Sequence, residues 1–132
     1  MSIGSWNPNM SEKNTDIDKI WLERFIAWAD QNQLQELDTL MKEQEQHSLA
    51  NLMHKEQREW LQVAELFDDK QLESLIRFFT IAENLPGWTS GENSPVIALA
   101  RTLRKRNNNL DRELLLWIRR VSNNRFLPYG PL

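Results

Sequence analysis

Apolar residues recur along this chain at the spacing of an α-helix face, and nowhere do they alternate as a half-buried strand requires. Ile17, Ile20, Trp21, Phe25, Trp28 and Ala29 fall on one face of a helix expected from about Asp16, and Leu22 and Ile26 widen that stripe. Residues 30–33 read as a turn. Leu34, Leu37, Leu40 and Met41 mark a second helix that runs out into residues 42–46. Leu49, Leu52, Met53, Trp60, Ala64 and Phe67 continue the period to about residue 67, as one helix or two. β-branched residues are sparse, so no strand competes with these assignments.

The second half carries stronger punctuation. Asp68 and Asp69 offer carboxylates to the first turn of a helix that is apolar most of the way round (Leu72, Leu75, Ile76, Phe78, Phe79, Ile81, Ala82) and is therefore expected at the centre. Leu85, Pro86 and Gly87 end it, and residues 85–94 form a loop. Ser94 followed by Pro95 is a start signal: serine caps, and proline at the first helical position loses no needed donor. Val96, Leu99, Ala100 and Leu103 form that helix's apolar face. Residues 107–109 turn the chain, and Asp111 caps a last helix through Leu114, Trp117, Ile118 and Val121. Pro128, Gly130 and Pro131 keep the closing segment, residues 123–132, from being helical throughout.

These signals predict an all-α fold of five to seven helices. Residues 16–132 form one domain with a docked tail at 123–132, preceded by a polar lead-in over residues 1–15. A chain of 132 residues buries roughly two-thirds of its unfolded surface, and a composition 40% hydrophobic and 27% charged favours folding over disorder. Leu34, Leu72 and Leu110 stand 38 residues apart, which fits helical hairpins stacked side by side in a superhelix; an irregular helical bundle fits equally well.

Charge is unevenly divided. Residues 1–94 hold 8 Lys/Arg against 17 Asp/Glu, while residues 95–132 hold 8 against 2. The basic group is Arg101, Arg104, Lys105, Arg106, Arg112, Arg119, Arg120 and Arg125. Guanidinium groups favour bidentate contact with carboxylate or phosphate, so this end is expected to meet something negative. The last two helices resemble a helix-turn-helix in outline. Asp111 and Glu113 would open its recognition helix and repel phosphate, and residues 114–118 are too apolar for a groove.

Little else carries chemistry. With no cysteine, disulfides, thiolate nucleophiles and Cys-ligated zinc are excluded. His47 and His54, seven residues apart on one helix, would share a face but lie too far apart for one metal ion. His47 and Leu49 match the His-x-Leu-Lys-Gly pattern of phosphotransfer bundles, but Ala50 and Asn51 replace its lysine and glycine. No nucleophile elbow, phosphate-cradling glycine loop, HExxH or EF-hand loop is present. No catalytic residue, metal ligand or cofactor is assigned. An enzyme with a site dispersed over several helices stays open as an alternative. No apolar run approaches the ~20 residues of a membrane span and the N-terminus lacks a signal-peptide pattern, so a cytoplasmic location is expected.

The expected function is a non-enzymatic protein-interaction module or adaptor for an acidic partner. Its contact residues would be Arg101, Arg104, Lys105, Arg112, Arg119 and Arg120, joined by the aromatic residues Trp88 and Tyr129. The alternative from another class is a nucleic-acid-binding accessory protein working through the same basic face.

Overall fold

The computed structural model describes residues 17–130. The lead-in expected over residues 1–15 lies outside them. Among the described residues there are seven α-helices and no strand.

Helix α1 (Lys19–Asp30) starts at Asp18, whose carboxylate accepts the Ile20 N–H at 2.9 Å. It ends where Asn32 turns the chain at φ +57°, a conformation asparagine tolerates better than most residues. The helix expected over 34–46 is not continuous. A 3-10 turn (Leu34–Glu36) leads into the one-turn α2 (Leu37–Leu40), and the chain then straightens at Met41. That break carries Met41 fully into the core beside buried Leu37. The carboxylate of Glu45 accepts the Lys42 N–H at 3.0 Å and starts α3 (Glu43–Leu49) afresh. A second 3-10 stretch (Ala50–His54) and an extended Lys55 separate α3 from α4 (Gln57–Ala64). His47 and His54 therefore sit on different elements rather than on one helix, and both are exposed.

Helix α5 (Asp69–Ala82) begins with a reciprocal cap: Asp68 accepts the Gln71 N–H at 2.8 Å, and Gln71 accepts the Asp68 N–H at 3.0 Å. It packs against α1, against α6 (Pro95–Lys105) and against α7 (Arg112–Val121), which makes it the central helix. Its aromatic side chains organise the interior. The Phe78 ring stacks on Phe25 of α1 with centroids 3.9 Å apart and planes 6° from parallel. Phe79 meets Trp60 of α4 edge-on at 5.2 Å. Such pairs contribute about 0.5–1.5 kcal/mol each beyond the burial of their area.

Helix α6 is the other deeply buried element. Ser94 caps it through the Val96 N–H at 3.1 Å, and Pro95 takes the first helical position. Its eight residues from Pro95 to Ala100 together with Thr102 and Leu103 are buried, which leaves only Arg101, Arg104 and Lys105 outside. Helix α1 packs on α5, α4 packs on α6, and α5 packs on α6, a pattern that stacked hairpins and an irregular bundle both allow. The 38-residue spacing does not mark equivalent elements. Leu34 opens a 3-10 turn, Leu72 lies in the first turns of a 14-residue helix, and Leu110 precedes the cap of α7.

Candidate functional site: the basic C-terminal face

The eight basic residues of the C-terminal segment are divided among four environments. Arg106 points inward to the α4–α5 junction. Its guanidinium donates to Asp69 at 2.9 Å and to the carbonyls of Phe67 and Ala64 at 3.0 and 3.3 Å. This contact, with a further bond from Asn108, holds the Asp69 carboxyl below the ordinary carboxylate value, against the opposing pull of desolvation. Arg106 is thereby a structural residue.

Arg101 and Arg104 hold the chain's own tail. Arg101 donates from Nε and Nη2 to the Tyr129 carbonyl at 3.1 and 2.8 Å, and the Arg104 guanidinium lies 4.3 Å from the centre of the Tyr129 ring. Arg125 covers the neighbouring Phe126 ring at 5.1 Å. Leu127 and Pro128 are buried beneath these contacts.

Lys105, Arg112, Arg119 and Arg120 are exposed, and none has an ionic or hydrogen-bonding partner among the described residues. The last three belong to α7, which buries only Ile118 completely. Arg112, Leu116, Arg119 and Arg120 stand at helical spacing on its outward side, and Leu116 is 52% exposed. Leu114, Leu115 and Trp117 are half-buried along its flanks. On the N-terminal side of α7, Leu114 and Trp117 line a cavity of about 440 Å³ shared with Leu34, Glu73 and Arg77. At the other end, Arg119, Arg125 and Leu127 border a cavity of about 340 Å³.

Trp88 does not belong to this surface. It is fully buried against Phe78, with ring centroids 6.3 Å apart, and its indole N–H donates to the Gln46 carbonyl at 3.1 Å. The loop that carries it folds inward to fill the aromatic core, so Trp88 is withdrawn from the candidate contact residues. No family model matches this chain. No curated protein and no solved structure matches it at a significant level either.

One polar cluster carries no motif in the sequence. Glu83, at the C-terminal end of α5, is buried, and its carboxylate accepts from the Ser94 hydroxyl and from Asn124 Nδ2, the latter at 3.0 Å. Burial pushes the Glu83 carboxyl above its ordinary value, while the bonds from Ser94 and Asn124 pull the other way. Asn124 also donates to the Gly91 carbonyl at 2.8 Å. The group ties together the end of α5, the start of α6 and the segment after α7. The Ser94 hydroxyl donates to Glu83 and accepts from Val96, so it is committed to capping rather than available as a nucleophile. A signal for this cluster was present: a carboxylate at a helix C-terminus opposes the macrodipole, and Glu83 continues the inward stripe of Ile76 and Phe79. Among the described residues, no group of three or more His, Cys, Asp or Glu is placed to hold a metal ion. No helix there is long and apolar enough to cross a membrane.

Proposed function

We propose that this chain is a protein-interaction module, acting in the cytoplasm, that takes an acidic partner on the arginines of its last two helices. The observation that carries this reading is the outward stripe of α7, where Arg112, Arg119 and Arg120 surround an exposed Leu116 without intramolecular counter-ions among the described residues. A guanidinium donates to a carboxylate through two parallel bonds, and an exposed leucine among such groups suits a partner segment that mixes acidic and apolar residues. Asp111 and Glu113 at the start of α7 disfavour the phosphate backbone of a nucleic acid.

The test is fluorescence anisotropy with a labelled peptide rich in Glu and Leu. Saturable binding is expected, weakened about fivefold or more by the double substitution Arg119→Glu/Arg120→Glu. Binding that ignores those substitutions refutes the assignment. Retention on duplex DNA instead, falling with salt at a log–log slope near −0.9 per phosphate neutralised, would turn the reading to nucleic acid.

A further inference from the structure

Arg106 is neutralised by a carboxylate, but Arg101 and Arg104 are not. Among the described residues, the Arg101 fork closes on a single neutral carbonyl, that of Tyr129, and Arg104 meets only the Tyr129 ring. Both guanidiniums stay exposed on a helix whose other outward residue is Lys105. A carboxylate would give the same fork two charged oxygens in place of one neutral oxygen, a stronger arrangement. The tail is therefore a weak occupant of a site whose chemistry fits an anion better.

The course of the tail adds to this. It runs from the cavity that Arg119 and Leu127 border to the Tyr129 position on α6. It thus passes from the neighbourhood of Arg119 to Arg101 and Arg104. Its register is tightly specified at one point: Gly130 adopts φ +94°, and a Cβ there would fall 2.9 Å from Arg101 Nη2 and 3.4 Å from Ile97 Cγ2. The Gly130 N–H also closes a turn onto the Phe126 carbonyl at 2.6 Å.

We propose that Tyr129 and Gly130, beyond the buried anchor of Leu127 and Pro128, are an autoinhibitory strap, and that an extended acidic segment of a partner protein displaces them to bind Arg101 and Arg104. The proposal rests on the interaction reading above and adds a gate to it. In the strapped state Tyr129 occupies the fork, so partner affinity is reduced by the fraction of molecules that are open. Once the strap lifts, Arg101 and Arg104 join Lys105 as open cations on the outward side of α6.

The experiment uses the full chain and a labelled poly-Glu peptide, with anisotropy read at low and moderate salt. Gly130→Ala imposes a backbone conformation that alanine rarely adopts and crowds Arg101. Tyr129→Ala removes the ring on Arg104 and leaves the glycine in place. Both variants are expected to bind the peptide about tenfold more tightly than the natural chain, since the cation–π contact and the forked hydrogen bond are what hold Tyr129 over the arginines, while Leu127 and Pro128 stay buried. Adding Arg101→Ala to either should abolish the gain. If the natural chain binds and neither variant binds more tightly, the strap is not inhibitory and the gate is refuted, while the interaction reading stands. If no form binds the peptide, the interaction reading falls and the gate with it. If the variants gain affinity for anionic vesicles or single-stranded DNA but not for the peptide, the partner class proposed here is overturned.

Discussion

The Arg106 guanidinium, just beyond the end of α6, sits 2.9 Å from the Asp69 carboxylate at the start of α5. The same group donates to the carbonyl of Ala64, the last residue of α4, and to that of Phe67 in the turn that follows. One side chain thus closes the junction of three helices, and it does so from the middle of the segment that sequence alone marks as a basic surface.

Replacing Arg106 with alanine removes the donors that the Phe67 and Ala64 carbonyls take from it, and should cost about 1–3 kcal/mol in urea denaturation. Lysine should restore only part of the loss, because an ammonium cannot span the same acceptors as a planar fork. The pH dependence has a definite sign. A carboxyl held below its unfolded value of 3.8 stabilises the fold above that pH, and the contribution is lost as pH falls through the lower folded value. Arg106→Ala should flatten this acid limb.

Glu83 predicts the opposite slope. Its folded value is raised, so the native state holds a proton that the unfolded chain has released, and stability declines as pH rises from the unfolded value of 4.5 through the folded one. Thermal denaturation from pH 4.5 to 7.5 should show Glu83→Gln gaining on the natural chain as pH rises. Ser94→Ala should cost about 1–2 kcal/mol through loss of the cap. A double-mutant cycle should find the two sites coupled, since they share a hydrogen bond.

Trp88→Ala should cost about 3–5 kcal/mol, the scale for emptying a fully buried aromatic site. Trp88→Phe keeps a ring against Phe78 but removes the indole N–H that the Gln46 carbonyl accepts beside its bond from Ala50, and should cost about 1 kcal/mol. An unchanged midpoint for Trp88→Ala would contradict the burial described above.

Helix starts were the most legible feature of the sequence, because a cap is a local device. Asp68, Ser94 with Pro95, and Asp111 each cap the helix that begins one residue later. The break at Met41 was not legible. No proline or glycine marks it, and the chain bends there to bury a methionine whose pocket is supplied by other elements. Trp88 was misplaced for a related reason. A tryptophan in a loop of glycine, serine and asparagine looks exposed until Phe78, itself packed on Phe25 and Phe79, is brought against it. The basic residues were recognised as a group, but charge alone does not tell a guanidinium that closes a helix junction from one that faces water. Arg106 and Arg120 differ only in what the fold places opposite them.

Helix α7 has one fully enclosed side chain, whereas α5 and α6 each have eight. Detaching it would sacrifice little of the interior, and α5 and α6 would keep most of their mutual contacts. The free energy of such a partial opening lies well below that of global unfolding, and amide protons of residues 112–121 should exchange with solvent before those of the central pair. The element that bears the unpaired arginines is thus also the least firmly anchored of the three long C-terminal helices, and a partner that grips it would be clamping the molecule as well as docking on it.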